Sequence, residues 1–400
     1  MRLRWQFAWL STGRVLTAGV QAVTIALVAR HSSLAEMALL TSLLGITMVV
    51  QAAGDFGLGG LLIRTSATTT NPTLARAVAT AADLSSVLIA VVYGAVMAVL
   101  AATTAVPAWA VVLAVMAGAE KNMIVRLGVS TAHGRADQAA RVYLLRRVTT
   151  FAGFGIAILF SAGSMAAYVL ADLVAVSVGL GVAHHLSGTH LSPRARPTRE
   201  SLTVAVVSGR PFWVNTLSAQ VRNLDAAIAS TVGGATAGAY YGLTSRLIGP
   251  LRLLPDALAG VLMPAVARPE GTSPRRAVRI MWLVSAVSVA GYGAAALVTP
   301  WVVPWLLGAQ YEPAVLTIQI AMLGLPLATC SQLCGAILQG AGHPRAVATA
   351  ALVGSMTCVI GVAAGTALGG APAAAVALGA SYAVQAALLL ASIRRTRITR

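Results

Sequence analysis

Three consecutive polar residues, Glu120, Lys121 and Asn122, interrupt an apolar stretch, and Lys121 is the only lysine in the chain. Arg222 and Asp225 stand three apart, which predicts one helix face and a pair. Arg246 lies in YYGLTSRLIGP (240–250), and Arg252 and Asp256 stand four apart around Pro255, which predicts a second pair beside a bend. Arg30, Asp55, Arg64, Asp83 and Asp172 complete the ionisable groups in or beside apolar stretches. Such groups cost about 2.5–3.5 kcal/mol each on entering a bilayer, so they gather where they pair or meet water. Among them Lys121, Arg222 and Arg246 match Glu120, Asp225 and Asp172 in number. Guanidinium and ammonium groups are partners for phosphate, so this inventory fits an anionic head group better than an organic cation. Glu120 and Asp225 are the candidates for coupling to protons or sodium. Asn122, Asn215, Gln220 and Gln319 are candidates to line a wet path.

Other chemistries lack their residues. Cys330, Cys334 and Cys358 lie inside apolar stretches, and the first two are one helical turn apart, a spacing unsuited to a disulfide. No His/Cys cluster has metal-site spacing, so no metal and no cofactor is expected. The Gly-rich DFGLGG (55–60) lacks the lysine of a phosphate loop. The largest outer connection, 299–312, offers only Glu312 among charged residues, too little for a membrane glycosyltransferase or polymerase. No enzyme is expected.

The elements that carry these residues follow from composition. Of 400 residues, 58% are hydrophobic and 10% charged, whereas soluble proteins carry about 25% charged residues. That excludes an ordinary cytosolic enzyme, a disordered chain and a secreted disulfide scaffold. A net charge of +17 would suggest nucleic acid in a soluble protein; here it points to topology, and no nucleic-acid partner is expected. Apolar stretches of spanning length number about 12, near 14–30, 37–62, 84–105, 107–130, 148–164, 166–185, 203–232, 236–262, 280–298, 313–339, 345–367 and 371–393. Gly and Pro interrupt the pattern at 54–62, 205–235 and 300–313. The fold class expected is therefore an all-α polytopic membrane protein. Cations cluster at the termini and in the even-numbered connections, for instance Arg126, Arg135, Arg141, Arg146 and Arg147 after the fourth span, while the odd-numbered connections hold almost none. The positive-inside rule then places both termini in the cytoplasm, in the cytoplasmic membrane. The first apolar stretch is too long for a cleavable leader.

The longest polar stretch, 191–200, separates six spans from six. The expected division is an N-terminal lobe over 1–190, a linker over 191–200 and a C-terminal lobe over 201–400. The two halves look related: TAHGRADQAAR (131–141) follows the fourth span and GAGHPRAVATA (340–350) the tenth. A parallel repeat of this kind places a transporter's substrate site between the halves.

Several stretches resemble the Wzx-type oligosaccharide flippases, the polysaccharide biosynthesis proteins of the multidrug/oligosaccharidyl-lipid/polysaccharide (MATE-like) exporter superfamily. They are GRVLTAGVQAVTIALVARHSSLAEMALLTSLLGI (13–46), DFGLGGLLIRTSA (55–67), GAYYGLTSRLIGPLRLLPDALAGVLMPAVAR (238–268) and PWVVPWLLGAQYEPAVLTIQI (300–320). Tyr240, Arg246, Pro255, Pro264, Gly308, Tyr311 and Pro313 stand in family-like places within them. The resemblance implies two six-helix lobes around a central cavity that opens to alternate sides, and export of a polyprenyl-diphosphate-linked oligosaccharide. Glycosyltransferases or a polymerase of the same pathway would then be partners, with membrane lipid around the chain. Longer members carry about two more C-terminal spans, for which there is no room here. Lys121, Arg222 and Arg246 are the first choices for the diphosphate, with Asn122 beside the sugars; Asp55, Arg64, Arg30, Arg252 and Asp256 are secondary candidates. The competing expectations are a cation-coupled drug exporter of the same superfamily and a non-transporting scaffold in a glycan assembly complex.

Overall fold

The computed structural model describes residues 3–68, 72–103, 106–160, 165–189, 199–252, seven positions between 255 and 266, and 273–396. Pro264 and most of the 191–200 linker lie outside the described residues, as do the side chains of Arg64 and Asn215. The described residues form twelve α-helices and no strand. They are α1 (Leu3–Arg30), α2 (Leu34–Gly54), α3 (Leu58–Thr68), α4 (Pro72–Ala102), α5 (Trp109–Ala132), α6 (Ala136–Leu159), α7 (Met165–Gly188), α8 (Arg199–Gln220), α9 (Asp225–Leu251), α10 (Pro274–Leu307), α11 (Val315–Gly340) and α12 (Pro344–Arg395). An apolar chain in lipid must satisfy its backbone within each segment, and helices do this. Seven are long and apolar enough to cross a membrane. The protein is an all-α, multi-pass membrane protein.

Glycine and proline decide where the spans end. α12 runs through two expected spans and bends between them, at Gly369 and at Gly370 (φ 65°). α9 bends at Gly234 (φ 74°), inside the expected connection 233–235. The second expected span breaks where Phe56 (φ 49°) and Gly57 (φ 75°) separate α2 from α3. The seventh breaks at a 3-10 turn, Val221–Leu224. Two expectations are corrected. The region 299–312 is not an open loop, because α10 continues through Pro300 and Pro304 to Leu307 and a 3-10 segment, Ala309–Ala314, follows. And α6 begins at Ala136, not near 148, so Arg141, Arg146 and Arg147 lie within a helix rather than in a cytoplasmic connection.

The links 131–141 and 340–350 share one geometry. Gly134 (φ 74°) and Gly342 (φ 84°) take left-handed backbones. In the first link the Arg135 N–H reaches Ser130 O at 2.9 Å; in the second the His343 N–H reaches Leu338 O at 2.8 Å. Both are Schellman-type ends, which need a residue tolerant of positive φ.

The chain divides into two compact units. The first comprises Met1–Thr24 with Ile46–Gln220, and the second Ile25–Gly45 with Val221–Arg400. This differs from a cut near residue 195: the end of α1 and the start of α2 group with the C-terminal helices, and α8 groups with the N-terminal ones. In the first unit Leu58, Leu62, Val78, Val125 and Val129 form a core under α3. In the second, Tyr241, Leu325, Leu378 and Tyr382 share one core, and Met281, Leu333, Ile337 and Leu389 another. The three cysteines are free and buried.

Candidate functional site

In the first unit the buried cations Lys121, Arg126 and Arg146 each face a carboxylate. α5 carries Glu120, Lys121, Asn122 and Arg126 toward neighbouring elements. Lys121 pairs with Asp55 at the α2–α3 break, and Asp55 Oδ1 also accepts the Gly59 N–H at 3.2 Å, opening α3. Asp83 of α4 takes the Arg126 guanidinium in a two-point contact and the Asn122 amide at 3.0 Å. Arg146 of α6 bridges Glu120 and Asp172, the latter at 3.1 Å. Thr150 donates to Asp172 at 2.8 Å, and Gln51 donates to Glu120 at 3.3 Å. These contacts tie α2, α4, α5, α6 and α7 together. Asp83, Arg146 and Asp172 are therefore part of the set that holds Glu120, Lys121 and Asn122. Arg146 is obscured in the sequence by its neighbours Arg141 and Arg147, which together read as one cytoplasmic cluster.

The second unit holds its cations differently. Arg222 does not pair with Asp225: Arg222 lies in the 3-10 turn Val221–Leu224, and the Asp225 carboxylate, at the start of α9, turns instead to the Tyr241 hydroxyl and the Ala226 N–H. Arg222 Nη2 instead donates to Gln385 Oε1 at 3.0 Å, and its guanidinium lies 4.6 Å from the Tyr382 ring centre. Arg252 donates to the Tyr382 hydroxyl at 3.2 Å and lies 5.4 Å from the same ring centre, and the Asp256 carboxylate also acts on its charge. Arg246 donates to Thr41 O at 3.2 Å. Asp225 is 5% exposed and accepts from the Tyr241 hydroxyl at 3.0 Å and from the Ala226 N–H at 2.7 Å, with Ser245 at 3.5 Å. Arg222 and Arg246 lie twelve residues either side of the Gly234 break, and Tyr382 lies twelve beyond Gly370. At about 1.5 Å per residue, each sits roughly 18 Å along the chain from a break. Tyr241, Tyr382 and Gln385 escape a sequence reading because neutral residues do not stand out. The spacing of Tyr382 and Gln385, three apart on one face, is the available signal.

Arg30 lies away from this group and donates to Trp305 O at 3.3 Å. Gln319 donates to Ala296 O at 3.0 Å. Among the described residues no group of His, Cys, Asp and Glu could hold a metal ion.

Solved structures with this architecture span nearly the whole chain. The lipid II flippase MurJ in an inward closed conformation superposes with a TM-score of 0.77 at 11% identity, covering 96% of this chain and 87% of its own. An inward-facing multidrug resistance MATE family transporter of the MOP superfamily gives 0.67 at 16% identity, covering 100% and 95%. The chain has the MOP-superfamily fold. A further MOP superfamily transporter, from Pyrococcus furiosus and described by the reverse polarity of its binding pocket, gives 0.68 at 17% identity, covering 99% and 96%. No family model and no curated protein matches the sequence. The MOP fold thus rests on shape over almost the full length rather than on shared residues.

Proposed function

We propose that this protein is a flippase of the Wzx type, moving a lipid-linked oligosaccharide across the cytoplasmic membrane by alternating access, with both termini cytoplasmic. The observation that carries this reading is the pairing of Arg222. Its partners are Gln385 and Tyr382, both neutral, whereas Lys121, Arg126 and Arg146 each spend their charge on a carboxylate. A guanidinium with neutral partners keeps its charge available to an anion. A diphosphate head group would meet Arg222, Arg246 and Arg252, while Lys121, neutralised by Asp55, serves the fold of its unit. The polyprenyl tail stays in lipid, and no covalent chemistry is required. An inside-negative potential favours outward movement of an anion by about 2.3 kcal/mol per charge per 100 mV. Enzymes that build or polymerise the glycan are the partners this reading implies.

One observation favours the drug-exporter alternative. Asp225 is a buried carboxylate whose hydrogen-bond partners are hydroxyls and an N–H rather than a cation, and burial is what suits it to taking up a proton. The test is reconstitution into vesicles with a fluorescent lipid-linked oligosaccharide, in parallel with a fluorescent organic cation. Flipping of the glycan lipid, lost in Arg222→Gln, supports the proposal. Unchanged flipping in that variant, or cation transport alone, overturns it.

A further inference from the structure

Two cations of the second unit converge on one neutral ring. Tyr382 is 3% exposed and belongs to the core that includes Tyr241, Leu325 and Leu378, so its ring is fixed. The Arg222 and Arg252 guanidiniums lie 4.6 and 5.4 Å from its centre. Like charges this close repel, and the Asp256 carboxylate, four residues from Arg252, offsets part of this at Arg252. An aromatic face attracts cations through its quadrupole without cancelling their charge. The Tyr382 hydroxyl adds an acceptor for Arg252, and Gln385, on the same face of α12, adds one for Arg222. Gly354 keeps the space open: a Cβ there would fall 3.1 Å from Arg222 Nη2 and 3.1 Å from Gln385 Oε1.

We propose that Tyr382 is a positioning residue that holds Arg222 and Arg252 as a single receptor with two guanidiniums, so that the site distinguishes a diphosphate from a monophosphate. This rests on the anion-binding reading of the same site given above. A monophosphate satisfies one guanidinium. A diphosphate engages both, and only while both are held to one ring. Tyr382 itself touches no substrate; it acts through the two arginines.

The experiment uses the full chain purified in detergent, with geranylgeranyl diphosphate and geranylgeranyl monophosphate as probes and titration calorimetry as the readout. Wild type is expected to bind the diphosphate more tightly. In Tyr382→Leu, diphosphate affinity should fall about tenfold while monophosphate affinity changes little, since one of two charge-assisted contacts is lost from the pair. Tyr382→Phe, which keeps the aromatic face without enlarging the side chain, should keep most of the preference, and this variant carries the test if Tyr382→Leu fails to fold. Retention of the diphosphate preference in Tyr382→Leu, or its absence in Tyr382→Phe, overturns the proposal. So does an equal loss of both ligands with a lowered melting temperature, which would make Tyr382 a core residue only. Failure of the underlying reading looks different: wild type would bind neither probe, or Arg222→Gln would bind both as wild type does.

Discussion

Gly57 and Gly209 meet backbone to backbone in the first unit. A Cβ built on Gly57 would fall 2.0 Å from Gly209 O, and one built on Gly209 would fall 2.3 Å from Phe56 O. One turn further along α8, the Trp213 indole N–H donates to Ala52 O at 3.0 Å and to Ala53 O at 2.9 Å, carbonyls left at the end of α2 by the break. The Phe56 and Trp213 rings lie 5.7 Å apart. The break is thus clasped by α8. Gly57→Ala should lower stability by more than about 2 kcal/mol, since it adds both a clash and a left-handed backbone penalty. Gly291→Ala, where nothing lies within 4 Å, is the control and should be nearly neutral. Thermal unfolding in detergent measures both.

Lys121 and Asp55 should behave as a reciprocal pair. Removing either partner of a buried ion pair leaves an uncompensated charge and costs about 3–5 kcal/mol. Lys121→Met and Asp55→Asn should each destabilise by that order, and the double variant should recover much of the loss. Additive losses in a double-mutant cycle, read from unfolding curves, would refute the coupling.

Arg146 joins Glu120 and Asp172 through separate nitrogens of one planar group. A lysine has one ammonium and cannot span both carboxylates in that geometry. Arg146→Lys is therefore expected to destabilise the fold by about 2–4 kcal/mol, despite unchanged charge. Measured stability equal to wild type would show that charge alone suffices.

Asp225→Asn tests ion coupling. The side-chain amide oxygen introduced by this substitution can still accept the Tyr241 hydroxyl, so the variant should fold and should still bind a diphosphate lipid. If proton uptake at Asp225 couples to transport, flipping in reconstituted vesicles should lose its response to an imposed pH gradient. A wild-type gradient response in this variant would assign coupling elsewhere.

The fold class is plain in the sequence, because spans and cation alternation both follow from the bilayer. Glu120, Lys121, Arg222, Asp225 and Arg246 are equally visible, since a charge stands out in an apolar run. Pairing is less legible. Lys121 meets Asp55 from 66 positions away, a contact set by packing that no local spacing reports. The Arg222–Asp225 spacing misleads because sequence-distant partners win: Gln385 and Tyr382 take the guanidinium, and Tyr241 takes the carboxylate. Arg146 is misplaced by hydropathy because that pattern locates the apolar part of α6, not its start.

The grouping of Ile25–Gly45 with the C-terminal helices bears on how such a chain can be cut or assembled. A fragment ending in the 191–200 linker would carry that hairpin without the helices it packs on, and the complementary fragment would have a groove with nothing to fill it. Two half-length polypeptides should therefore be unstable apart and reassemble on co-expression, each completing the other through a borrowed segment. By the same logic, if the two matching turns at Gly134 and Gly342 descend from a duplicated half, residues 25–45 behave as a swapped element, an exchange that makes the pair one inseparable folding unit.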